Sequence, residues 1–151
     1  MRTQAVTTVV LGIISYTHWP TSAQQLRICV LANPAYASDL LNGTHLSGGQ
    51  SIIAQHMDVE NPDIGRDCAA VYLGALTDDQ RMKLFTELSG HPVLSISEAD
   101  LTCASGSMFC LRFDDSSKVR FATNLDSVAR SGVRVDPHVL LLSHSRTEAQ
   151  P

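Results

Sequence analysis

Short apolar runs alternate with segments carrying helix-start chemistry from Leu26 to Ser97, and this alternation constrains the fold more than any other feature. Leu26 to Ala32, bounded by Gln24-Gln25 and Asn33-Pro34, reads as a buried strand. Asn33-Pro34 offers a cap and a first-turn proline for a helix running to about Leu41. Gly43, Gly48 and Gly49 mark loops, Ser51 to His56 fits a second strand, and Met57 to Asp67, with Asn61-Pro62-Asp63 inside it, reads as loop. Ala69 to Gly74 is a third strand, entered directly from Cys68. Thr77-Asp78-Asp79-Gln80 then forms a capping box, a hydroxyl and an amide three apart with acids in the first turn. The helix it opens should bury Leu84, Phe85 and Leu88 and stop at Gly90, before a strand from Pro92 to Ser97. Strand and helix in alternation predict an α/β fold, a mainly parallel sheet flanked by helices.

The ends of the chain add to this frame. Val6, Val9, Val10, Ile13, Ile14 and Thr17 recur at helical spacing, so the start of the chain reads as an amphipathic first helix ended by Pro20. The competing reading is a signal peptide, with Arg2 before an apolar stretch and Thr21-Ser22-Ala23 before a cut. Bulky Trp19 and Pro20 stand where a cleavage site wants small residues. The run is also too short to span a bilayer. Near the other end, Met108 to Phe113 and Val119 to Thr123 alternate about the polar Asp114-Asp115-Ser116-Ser117-Lys118, which signals a hairpin. Asn124 caps a short helix holding Leu125, Val128 and Ala129 and closed by Gly132. Asp136-Pro137 caps a second, from Val139 to about His144. The expectation is one compact domain over residues 1–151, with 145–151 a frayed tail.

Composition narrows the function. A net charge of −4 with scattered basic residues leaves no electrostatic footprint for nucleic acid, and no polybasic run points to a membrane surface. His18, His45, His56, His91, His138 and His144 lack H-x-x-x-H or H-E-x-x-H spacing, so no metal site is expected. There is no G-x-S-x-G elbow, and Gly48-Gly49-Gln50-Ser51 lacks the ending of a phosphate loop and reads as a flexible turn. The reading is of a protein that is not an enzyme and uses no cofactor. Cys29, Cys68, Cys103 and Cys110 contain no C-x-x-C pair and allow three pairings. Joining Cys103 to Cys110 is the most economical closure and leaves Cys29 for Cys68; buried free thiols in a cytosolic protein are the alternative.

Several pieces together resemble the YfiR family: Y-T-H-W-P at Tyr16 to Pro20, R-I-C-V-L at Arg27 to Leu31, and G-R-D-C-A-A-V-Y-L-G at Gly65 to Gly74. H-P-V-L-S-I-S at His91 to Ser97, G-S-M-F-C at Gly106 to Cys110, V-R-F-A-T-N-L at Val119 to Leu125 and S-G-V-R-V-D-P-H-V-L-L-L at Ser131 to Leu142 continue it in order. The resemblance implies a periplasmic repressor that binds the periplasmic sensing region of a YfiN-type inner-membrane diguanylate cyclase. It would thereby restrain cyclic-di-GMP synthesis and biofilm formation. It implies relief by a YfiB-type outer-membrane lipoprotein and a compact α/β fold that in the family is often a homodimer. It also implies that a leader was removed, with Met1 an expression start, because the Tyr16–Pro20 motif belongs to the mature first helix of the family.

The same resemblance pairs Cys29 with Cys68 and Cys103 with Cys110. Closing about eight and about forty residues is worth roughly 2.5 and roughly 4 kcal/mol in the chain-entropy model. Those magnitudes rival the margin of a small domain, so reduction becomes a conceivable input to repression. For partner binding, the candidates are Phe109, Arg112 and Arg120. If Leu111 and Phe113 face inward, Arg112 faces outward by the period of two. Phe109 shares the inward parity, and a bulge at the neighbouring bridge would be needed to turn it out as an anchor; a core position is the alternative. Phe121 reads as core and Asn124 as a helix cap. Arg130 and Arg134, flanking Gly132, form a candidate small-anion site, with solvated surface the competing reading.

Overall fold

The computed structural model describes residues 2–20, 24–47, 50–100, 103–104, 106–113 and 118–144. The sequence expectations for 21–23, the turn at 48–49, the hairpin turn at 114–117 and the tail at 145–151 lie outside these residues. In chain order the elements are α1 (Arg2–Ser15), β1 (Thr17–His18), β2 (Gln25–Leu31), α2 (Ser38–Leu41), β3 (Thr44–Ser47) and β4 (Gln50–His56). Then come α3 (Ile64–Asp67), β5 (Ala70–Leu73), α4 (Asp78–Leu88), β6 (Leu94–Ser97), β7 (Phe109–Phe113) and β8 (Val119–Thr123). The chain closes with α5 (Leu125–Arg130), β9 (Arg134–Val135), a 3-10 turn (Pro137–Val139) and α6 (Leu140–His144).

Among the described residues seven strands form one sheet in the order β3-β4-β2-β5-β6-β7-β8. The five central strands run parallel, and β3 and β8 are antiparallel edges. Alternation along the strands sorts the core into two halves. Ile28, Val30, Tyr72, Ile96, Phe109, Leu111 and Phe121 face α1, whose Val6, Val10, Ile13 and Ile14 are buried against them. Cys29, Leu31, Val71 and Leu73 face the other way, onto Ile64 of α3 and Leu84 and Leu88 of α4. A sheet buried on both faces explains why the central strands read as continuous apolar runs.

The capping box forms as expected, with Gln80 N donating to Thr77 Oγ1 at 3.1 Å and Thr77 N to Gln80 Oε1 at 3.0 Å. The helix stops at Gly90, which takes a left-handed φ of 87°.

Five local expectations change, one being that the stretch 57–67, expected to be loop, ends in the one-turn helix α3. The first helix ends at Ser15 rather than near Pro20, because Thr17 and His18 pair with Val135 and Arg134 in a second, two-stranded ladder. The helix expected from Asn33-Pro34 shrinks to Ser38–Leu41, one turn with Ala37 as its N-cap. Ala32 and Asn33 both have left-handed backbones, at φ 63° and 48°, and a residue before proline avoids the right-handed helical region. β3 occupies a stretch expected to be loop, extending the sheet by antiparallel pairing to β4. Within the short helices and α4, Leu125 is exposed and Phe85 only half-buried, so neither is the core residue its spacing suggests.

Candidate functional site

Among the described residues, the connection from β6 to β7 carries no helix of the kind that usually covers such a parallel crossover. The loop is held instead by a Cys103–Cys110 disulfide. Its other ties are individually short. Cys103 N donates to Asp100 Oδ1 at 3.0 Å, Met108 N to Ser95 Oγ at 2.9 Å, and Arg112 Nη1 to the Asp100 carbonyl at 2.8 Å. Asn124 works twice. Its Oδ1 accepts from Ser127 N at 3.0 Å, which caps α5, and its Nδ2 donates to the Cys103 carbonyl at 2.9 Å. That second bond fastens a residue held at φ 55°. Gly106 fits beneath the Phe85 ring, where an added Cβ would lie 2.7 Å from the ring. These ties fix the entry to the β7–β8 hairpin, whose register pairs Leu111 with Phe121 and Arg112 with Arg120.

The second disulfide joins Cys29 on β2 to Cys68 just before β5, a separation of 39 residues. All four cysteines are therefore bridged, and in the pairing that the family resemblance implies. Both bridges are buried, with Cys29 and Cys110 at 0 % exposure, Cys68 at 4 % and Cys103 at 8 %. Cys68 lines an open cleft of about 550 Å³ with Trp19, Arg27, Arg66, His91 and Pro92. The Trp19 indole donates to the Ala69 carbonyl at 2.9 Å and so holds one wall of that cleft.

The hairpin candidates separate on inspection. Phe109 has no exposed surface and meets Phe121 edge-on at 5.5 Å between ring centroids. The expectation of an outward-turned Phe109 is corrected: its strand pairs regularly with β8, Phe109 opposite Thr123, so parity directs the ring into the core. Arg112 and Arg120 stand opposite each other across the hairpin, on the face shared with Cys110 and away from α1. Arg112 is half-buried and Arg120 exposed.

Arg130 and Arg134 are not brought to one site. Arg130 lines a cleft of about 220 Å³ between α4 and α5, with Phe85, His91, Gly106, Met108 and Ser131. Arg134 belongs to β9, opposite His18, and is exposed. Sequence reasoning weighed His91 only as a metal ligand and missed that it shares a cleft with Arg130. The two lie 39 positions apart, and only the tertiary structure brings them to one cleft.

Among the described residues no group of three or more His, Cys, Asp or Glu side chains could hold a metal ion. Histidine hydrogen bonds run to carbonyl or carboxylate oxygens, as for His45 to Leu40 and His138 to Asp136. Among the described residues no hydroxyl or thiol is bonded to an imidazole, so no serine–histidine or cysteine–histidine pair is formed there. Among these residues no helix is long and apolar enough to cross a membrane.

A mainly parallel α/β sheet with two buried disulfides and a stapled hairpin defines a class of disulfide-bridged α/β domain suited to an oxidising compartment. The YfiR/HmsC-like family model matches residues 3–144, and the chain belongs to that family. Membership points to a periplasmic regulator of diguanylate cyclase pathways.

Proposed function

We propose that this chain is a repressor that binds the periplasmic sensing region of a YfiN-type inner-membrane diguanylate cyclase. By favouring the inactive conformation of the cyclase, it lowers cyclic-di-GMP synthesis and biofilm formation without chemistry of its own. A YfiB-type outer-membrane lipoprotein relieves the block by sequestering it, and the repressor acts as a homodimer. The family match over residues 3–144 carries this reading. Two disulfides support the compartment.

The contact surface in this reading is the outer face of the hairpin, where Arg112 and Arg120 sit side by side. Phe109 contributes from beneath, by fixing β7 and β8 against α1. Redox state is a second input, since reduction at Cys103 would free the loop that orders this face. A pulldown with the cyclase's periplasmic region, run with and without reductant, tests the proposal. Retention of the oxidised protein, and at least tenfold weaker retention of Arg112→Ala/Arg120→Ala, is expected. No retention under either condition refutes the reading. Equal repression and equal protein level in cells lacking either cysteine pair would end the redox part alone.

A small-molecule sensor is the second reading, favoured by the cleft that Arg130 and His91 line. Thermal-shift screening of small anions, with Arg130→Ala as control, tests it; a ligand whose effect survives that change does not use this cleft.

A further inference from the structure

β2 is flanked by β4 on one side and β5 on the other, both parallel to it. Connections therefore leave β2 and β4 in opposite directions, and the crevice beyond the carboxyl ends of β2 and β5 is where such sheets hold ligands. Here the crevice contains three converging donors. The amides of Ala35 and Tyr36, on the loop leaving β2, point to a single carboxylate, with Tyr36 N at 3.2 Å. The Tyr72 hydroxyl, on fully buried Tyr72 of β5, donates to the same group at 2.6 Å. That carboxylate belongs to the chain itself: it is Glu98, half-buried at the end of β6.

The surroundings suit an anion. Arg2 donates to the Tyr36 hydroxyl at 3.2 Å, and its guanidinium lies 5.4 Å from the Tyr36 ring centre and 5.2 Å from that of Phe113. Burial, reinforced by the bond to Glu98, pushes the Tyr72 hydroxyl well above the usual tyrosine range, so it stays a proton donor. Gly74 lets the loop close over the site, its missing Cβ leaving room for the Ala32 carbonyl. Two backbone amides and a buried hydroxyl form a receptor for one carboxylate, more donors than a lone surface glutamate usually gathers.

We propose that this crevice is a carboxylate-recognition site and that Glu98 is its tethered occupant, which a free carboxylate-bearing ligand displaces. Displacement would free Glu98, two residues before Asp100, whose carboxylate accepts from Cys103 N in the stapled loop. The inference stands apart from the choice of protein partner.

The test uses acetate as the probe, with sodium chloride at equal ionic strength as control. In Glu98→Ala, acetate should raise the melting temperature and move the amide resonances of Ala35 and Tyr36. A tether of this kind presents its group at millimolar or higher effective concentration, so half-saturation should need at least about tenfold less acetate in Glu98→Ala than in the unaltered protein. Adding Tyr72→Phe should weaken the acetate effect. If Glu98→Ala does not fold, Glu98→Gln, of the same shape and without charge, takes its place with a smaller gain expected. An acetate response absent from the variant, equal in the unaltered protein, or unmoved by Tyr72→Phe would overturn the proposal.

Discussion

Reducing the Cys29–Cys68 bond should cost this protein more than reducing Cys103–Cys110, although the second bond holds the more irregular loop. The separation of 39 residues closes a loop of about 40, worth roughly 4 kcal/mol in the unfolded-state entropy model. The separation of 7 closes about eight residues, worth roughly 2.5 kcal/mol. For a chain of this size each kcal/mol moves the melting temperature by roughly 2–4 °C, so the two losses become roughly 8–16 °C and roughly 5–10 °C. The assay compares oxidised and reduced forms of Cys103→Ala/Cys110→Ala, which retains only the long loop, and of Cys29→Ala/Cys68→Ala, which retains only the short one. Comparing each variant with itself cancels the cavity left by the alanines. Trp19, the only tryptophan, reports unfolding from a position bonded to Ala69, next to Cys68. A loss on reduction that is no larger for the 29–68 bond than for the 103–110 bond would refute the loop-entropy reasoning. The stability lost at the 103–110 bond would then come from native packing around Cys103.

Further expectations follow from single contacts. Asn124→Ala removes both the α5 cap and the tie to Cys103, and should cost about 1–2 kcal/mol by urea denaturation. Asn124→Asp keeps the cap and loses the tie, so its stability should fall between the two. Gly74→Ala would put a Cβ 2.3 Å from the Ala32 carbonyl oxygen and 2.9 Å from Pro34 N, both backbone, and should cost about 3 kcal/mol or more or prevent folding. Asp136 is held below the usual carboxylate range, first by the His138 amide it accepts from and then by the His138 ring. A carboxylate with a lowered native pKa stabilises above its unfolded value and loses that contribution as pH falls through the native one. The stability gap between the unaltered protein and Asp136→Ala should therefore be full above about pH 4 and shrink on acidification, measured by chemical denaturation across pH.

The elements with local causes were legible in the chain. The capping box at Thr77 and Gln80, the Asn124 and Asp136 caps and the β7–β8 hairpin each depend on residues a few positions apart, and such signals survive whatever packs around them. Periodicity also carried the parallel sheet, because strands buried on both faces leave unbroken apolar runs. The sequence pattern thus determined by itself an α/β frame and the family to which the chain belongs.

What the tertiary structure decided are the features that depend on distant partners. Thr17 and His18 left the helix for a ladder with β9, across more than a hundred residues of chain. Regular pairing with β8, rather than proximity to a disulfide, set the side on which Phe109 lies. Arg130 and His91 met while Arg130 and Arg134 parted, since neighbours in sequence were sent to different elements. The Glu98 receptor draws on the loop after β2, on β5 and on the end of β6, up to 63 residues apart, and no local pattern announces it. Hydrogen-bond donors converge on one carboxylate only after the sheet has fixed which strand ends are adjacent.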